Sequence, residues 1–166
     1  QAPPTETGNV RRKSKSLQRF TLKAGGNFTI LQDGVIGTTT TVKGMGFEGL
    51  MALGWDLAYQ PIYIEIESGY RGLLMNTNSK LHLIPLRLGT FYRDRISESS
   101  FFKIGFFGGL GLRIIPDITT SYATVPIFGI SSILDFDNFL LEAALSVHRI
   151  ESRNNFFDFT LRGGVR

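Results

Sequence analysis

Residues Phe101–Ile115, FFKIGFFGGLGLRII, restrict the possible folds more than any other stretch of the chain. Side chains of an extended strand point alternately to opposite faces. Read with that period, Phe102, Ile104, Phe106, Leu110, Leu112 and Ile114 share one face with Gly108, while Lys103, Gly105, Phe107, Gly109, Gly111 and Arg113 share the other. A soluble barrel or sandwich would turn the bulky face inward and leave glycines crowded on an outer face with ample room. The opposite arrangement accounts for both faces. Glycine suits the concave interior of a narrow closed barrel, and large apolar groups suit a convex exterior that meets lipid.

The same asymmetry recurs along the chain. Phe20, Leu22, Ala24, Gly26, Phe28 and Ile30 alternate with Arg19, Thr21, Lys23, Gly25, Asn27 and Thr29, which predicts a first strand. Asp33-Gly34 and Thr38–Thr41 predict a loop, after which Met45, Phe47, Met51, Leu53 and Trp55 oppose Gly44, Gly46, Glu48, Leu50, Ala52, Gly54 and Asp56. Beyond a turn near Gln60-Pro61, a third strand sets Ile62, Ile64, Ile66, Ser68 and Tyr70 against Tyr63, Glu65, Glu67, Gly69 and Arg71. A loop at Asn76–Ser79 leads to a fourth, with Ile84, Leu86, Leu88, Thr90 and Tyr92 opposite Pro85, Arg87, Gly89, Phe91 and Arg93. Pro85 predicts a bulge or a missing ladder bond there. Asp94–Ser99 turns into the opening stretch, Pro116–Thr124 predicts the next loop, and a sixth strand lies near Val125–Leu134. After a turn at Asp135–Asn138, Phe139, Leu141, Ala143, Leu145 and Val147 oppose Leu140, Glu142, Ala144, Ser146 and His148. A last loop at Glu151–Asn155 precedes Phe157, Phe159, Leu161, Gly163 and Val165, which alternate with Asp158, Thr160, Arg162, Gly164 and Arg166.

Eight sequential strands with short connections predict an all-β fold, an eight-stranded antiparallel up-and-down transmembrane barrel over residues 18–166. Its polar face becomes a lumen charge network of Lys23, Glu48, Glu65, Glu67, Arg71, Arg87, Lys103, Arg113, Glu142, Asp158 and Arg162. Pairing within that lumen accounts for much of the basic content behind the net charge of +4, so nucleic acid is not an expected partner. Phe20, Trp55, Tyr92 and Phe102 fall near one end of their strands and Tyr70 and Phe157 near the other, as interfacial aromatic girdles require. Residues 1–17, QAPPTETGNVRRKSKSL, lack large apolar groups and predict a flexible basic N-terminal tail. Its Arg11, Arg12, Lys13 and Lys15 are candidates for docking on an anionic surface, at roughly 1 kcal/mol per basic residue. The start at Gln1 without a methionine carries the expectation of a processed chain. With no cysteine, disulfide frameworks and thiolate metal sites are excluded.

Over residues 18–166 the pattern resembles the small eight-stranded outer-membrane barrels of the OmpA/OmpX kind. The resemblance implies a bacterial outer membrane, with lipids as partners, both termini in the periplasm and an anionic periplasmic partner for the basic tail. It places the loops around residues 32–41, 72–80, 116–124 and 151–155 outside. It also implies a terminal strand ending in an aromatic residue; Phe157, Phe159, Leu161 and Val165 match the alternation, but the last residue here is Arg166. The expected role is a structural or interaction protein, monomeric, and closed rather than a general diffusion pore.

Chemical motifs are sparse. Gly44-x-Gly46-x-x-Gly49 matches a dinucleotide fingerprint in spacing, but the strand-turn-helix context that gives the fingerprint its meaning is missing. Gly108-Gly109-Leu110-Gly111 lies within a strand and lacks the lysine of a phosphate loop. His82 and His148 have no metal-ligand spacing around them, so neither metal nor cofactor is expected. Glu142, Ser146 and His148 share one strand face and supply the residue types of nucleophilic ester hydrolysis. Similar residue types serve a family of small outer-membrane barrels that deacylates lipid A, in a different local order and facing lipid. A lipid-modifying hydrolase is therefore one alternative. A soluble lipocalin-like carrier is the other, and it requires the inverted arrangement, with Phe and Leu lining a pocket.

Overall fold

The computed structural model describes residues 18–35, 38–57, 60–75, 80–116, 121–151 and 154–166. The basic tail with Arg11, Arg12, Lys13 and Lys15 lies outside these described residues. Eight strands follow in chain order: β1 (Gln18–Val35), β2 (Thr38–Asp56), β3 (Ile62–Met75), β4 (Lys80–Arg95), β5 (Phe101–Ile115), β6 (Ser121–Asp135), β7 (Phe139–Glu151) and β8 (Asn154–Val165). Each pairs antiparallel with the next, and β1 also pairs with β8, so the sheet closes on itself as a barrel. Closure removes the unpaired strand edges that a membrane interior does not tolerate. The 15 residues of β5, at about 3.3 Å each and tilted roughly 40°, rise well over the ~25 Å of an apolar belt.

Burial separates the two faces as the alternation requires. Phe106, Phe47, Leu86, Phe128 and Ile130 are exposed on the outside, whereas Lys23, Glu65, Arg71, Arg87 and Lys103 are buried inside. The soluble-carrier arrangement, with charges in water and phenylalanines in a pocket, is therefore not the one adopted. Phe20 and Tyr92 are exposed toward the end that carries Gln18 and Arg166, and Tyr70 and Phe157 toward the opposite end. Inside, Tyr63, Phe91, Ile133 and Leu140 pack together near the Gln18 end, and Leu73, Met75 and Phe156 pack with Leu81 near the other. A third apolar group, Leu83, Phe107, Val125, Ile127 and Ala144, fills one wall between them.

Several boundaries differ from the sequence expectation. The stretch expected as a loop over 32–41 is ladder on both sides of residues 36–37, with Asp33↔Thr40, Gly34↔Thr39 and Val35↔Thr38 paired. Threonine is β-branched and favours extended backbone, so the run reads as polar loop by composition but extends the hairpin by propensity. Strand β6 begins at Ser121 rather than near Val125, and β3 runs to Met75, up to the expected loop at Asn76–Ser79. Strands β7 and β8 likewise consume most of the expected loop at 151–155. Opposite Pro85 the β3–β4 pairing lapses between Ser68↔Leu86 and Arg71↔Leu83 without a change of register. Proline's missing N–H thus removes ladder bonds but inserts no residue, and the Ser68 hydroxyl donates to the Pro85 carbonyl at 3.0 Å. The register shift lies instead at Arg149/Glu151.

The inward glycines serve strand contact more than free space. A Cβ on Gly109 would stand 2.8 Å from the Arg87 Cα and closer still to the Leu86 carbonyl oxygen, both on the paired strand β4. Gly105 meets Phe91 Cα at 2.6 Å in the same way. Backbone cannot yield as a flexible side chain can. By contrast, a Cβ on outward-facing Gly49 or Gly163 meets nothing within 4 Å. Gly109→Ala should lower stability by about 1–3 kcal/mol, the cost of overpacking, while Gly163→Ala stays near neutral. Urea unfolding in phospholipid vesicles, followed by the gel shift between folded and heated protein, measures the difference.

Candidate functional site

Inward positions on six strands bring one continuous ion-pair network to the middle of the lumen. Period-two alternation aims these side chains at the axis, and a narrow barrel leaves them little distance to travel. Lys23 of β1 is the hub: its Nζ pairs with Glu65, lies 2.6 Å from Glu67 Oε1 and 3.0 Å from Glu142 Oε2. Arg162 of β8 pairs with Glu48 and, at 2.6 Å, with Glu142. Arg71 of β3 reaches Glu48 at 2.7 Å and also pairs with Asp158. Arg87 of β4 sits 3.0 Å from Glu67 and lies over the Phe107 ring at 4.9 Å. Neutral donors complete the carboxylates: Tyr63 donates to Glu65 at 2.9 Å, Ser131 to Glu142 at 2.6 Å and Thr29 to Asp158 at 2.5 Å.

Ten of the eleven residues predicted for the lumen network are buried inward and ion-paired. Arg113 is the exception: it faces inward but is only half-buried, its Nε is enclosed without a hydrogen-bond partner, and no described carboxylate pairs with it. Lys103 belongs to a second cluster whose other members escaped the sequence reading. At the end that carries Gln18, Asp135 pairs with Lys103 at 2.6 Å and with Arg166, while Asp56 pairs with Arg93 at 2.6 Å. Arg19 spans the two carboxylates, 3.7 Å from Asp56 and 3.8 Å from Asp135. The signal was present: Arg19, Asp56 and Arg93 have inward parity, and Asp135 acquires it once β6 is carried one residue past Leu134.

The candidate hydrolytic residues do not assemble as a relay. Ser146 Oγ lies 3.2 Å from His148 Nε2, and Asp158 Oδ2 lies 2.7 Å from that same nitrogen, as does Arg71 Nη1 at 3.2 Å. General-base activation requires the nucleophile on one ring nitrogen and the orienting carboxylate on the other. Glu142 is occupied elsewhere, by Ser131, Lys23 and Arg162. Ser146 and His148 are each 4% exposed inside the wall, which separates them from the apolar outer face. Among the described residues no group of three His, Asp or Glu side chains is placed to hold a metal ion. His82 sits on the outer face, with its Nδ1 hydrogen-bonded to the Tyr70 hydroxyl.

What this arrangement does is neutralise charge in a closed space. Removing one member of a buried pair strands its partners without water, at about 3–5 kcal/mol. Lys23→Met strands three carboxylates at once and should lie at the upper end of that range. Arg113→Met, with no paired carboxylate among the described residues, should cost less than about 1 kcal/mol. Urea midpoints of the two variants in the same vesicles order them.

No protein-family model matches the chain, and no curated protein does. Solved structures do. The chain is similar to neisserial surface protein A (NspA), with 12% identity over 89% of this chain and 97% of that one, at a TM-score of 0.61. It is similar to Ail, the attachment invasion locus protein of Yersinia pestis, with 11% identity over 89% and 97% of the two chains, at a TM-score of 0.56. Ail in complex with the heparin analogue sucrose octasulfate matches at 12% identity over 92% and 99%, with a TM-score of 0.51. At such identities the likeness is one of architecture, and the chain has the fold of the small eight-stranded outer-membrane barrels.

Proposed function

We propose that the protein is a bacterial outer-membrane barrel with a structural or interaction role, monomeric, and closed rather than a diffusion pore. One observation carries this reading: the large apolar side chains lie outside while the charged ones, from Lys23 to Arg162, are 1–4% exposed inside. An exterior of that kind is stable in lipid and a liability in water. Side chains buried throughout the described lumen support closure against hydrated solutes. In this reading the end with Gln18 and Arg166 faces the periplasm, and the basic residues Arg11, Arg12, Lys13 and Lys15 meet an anionic periplasmic partner. The short connections at the other end support small contacts with lipids or membrane neighbours rather than a broad adhesive surface.

Cell fractionation tests the location. The protein is expected in the outer-membrane fraction, extracted only by detergent, and faster on gels before heating than after. Recovery in the soluble fraction without detergent overturns the reading. In planar bilayers the folded protein should add no sustained conductance, and stepwise large-channel openings refute closure. Ser146→Ala and His148→Ala should leave the lipid A mass spectrum of expressing cells unchanged, since neither side chain reaches the lipid face.

A further inference from the structure

The lumen is not evenly balanced along its axis. In the central network Lys23, Arg71, Arg87 and Arg162 face a slight excess of carboxylates, Glu48, Glu65, Glu67, Glu142 and Asp158. At the mouth that carries Gln18 and Arg166 the balance reverses: Arg19, Arg93, Lys103 and Arg166 share only Asp56 and Asp135. Among the ion-paired side chains of the mouth there are therefore two more positive charges than negative ones. Lys103 is 1% exposed and fully engaged by Asp135, but the side chains of Arg19, Arg93 and Arg166 remain 15–17% exposed. The other carboxylates at this end stand apart from that cluster. Asp94, Glu98 and Asp137 lie out in water, none ion-pairs with the three arginines, and Asp94 accepts from the Arg95 backbone N–H at 2.8 Å.

Two of the three guanidinium groups, those of Arg93 and Arg166, are also held in place. Arg93 is clamped between Asp56 and the face of Phe101, 3.4 Å from the ring centroid. Arg166 donates to the carbonyls of Phe136 at 2.9 Å and Asp137 at 3.2 Å while pairing with Asp135. Arg19 is under-used: both its ion pairs are beyond hydrogen-bond reach, and its Nε has no acceptor. Guanidinium groups fixed before the ligand arrives lose little freedom on binding, and their donor forks match phosphate oxygens. We infer that this mouth is an anion site, in which Arg19, Arg93 and Arg166 together take a phosphate-type oxyanion from the side of the chain termini. The anion supplies the negative charge that Asp56 and Asp135 leave short in the cluster, and it gives the Arg19 Nη groups, whose ion pairs are long, an acceptor within hydrogen-bond reach. The inference rests on the closed barrel but not on the proposed cellular role.

The test uses the full folded chain in uncharged detergent micelles at low salt, titrated calorimetrically with pyrophosphate, and in parallel with micelles doped with phosphatidylglycerol or phosphatidylcholine. Folding of every variant is checked by the gel shift on heating. Saturable binding of one pyrophosphate, weakened about tenfold by Arg19→Gln and again by Arg93→Gln, supports a soluble anion as ligand. Binding of phosphatidylglycerol but not phosphatidylcholine or pyrophosphate, with the same losses, supports a lipid headgroup. Asp56→Asn removes a competing negative charge and should tighten binding, a sign that mere damage to the rim would not produce. Lys43→Gln, exposed at the far end of β2, should change nothing. Failure of a folded barrel to bind either phosphate source, or equal binding by the Arg19 and Arg93 variants, overturns the inference.

Discussion

Everything in this molecule follows from the need to satisfy polar groups where water is absent. The sheet closes so that every strand pairs both its edges, and eight strands enclose an interior about wide enough for side chains to fill. Side chains of alternate residues are driven into that space whether or not they are apolar. Charges enclosed there are tolerable only as mutual counter-ions, and Lys23 with its three carboxylates is the clearest instance. The network is thus less a device added to the barrel than a condition of closing one with this sequence.

Glycine placement follows from the same closure. At Gly105 and Gly109 the backbone of β4 occupies the volume a Cβ would need, and β4 there carries Phe91 and Arg87 toward the axis. Close strand approach and a charged lumen are therefore linked, because the residues opposite the glycines supply the inward groups. Pro85 shows how much the ladder tolerates: pairing lapses there yet the register holds, since neighbouring pairs on both sides fix it.

A relay of Ser, His and acid is a tempting reading of β7, where Ser146 and His148 alternate with outward apolar residues. The strand does bring both inward, and Ser146 Oγ and His148 Nε2 stand 3.2 Å apart. The carboxylate that meets His148 comes from β8, as Asp158, and it competes for the nitrogen that faces Ser146. The same atoms that suggest chemistry in one dimension form, in three, a support beneath Arg71.

Period-two alternation is local: it depends only on extended backbone geometry, so the strands, their faces and ten of the network residues were legible in the sequence. The orientation of the faces was legible too, because bulky groups and glycines occupy different volumes on the two sides of a curved sheet. Strand ends were less so, since the threonines at 38–41 are polar in composition and extended in propensity, and only pairing with residues 32–35 decides between them. Partner choice within the lumen was not legible at all. Which carboxylate meets Lys23, which nitrogen of His148 is occupied, and that Arg19, Arg93 and Arg166 gather around Asp56 and Asp135 depend on strand register and barrel closure. Those bring together residues as distant as Arg19 and Asp135, and no local period encodes that distance. Sequence alone determined which residues face inward; the closed tertiary structure decided which of them touch.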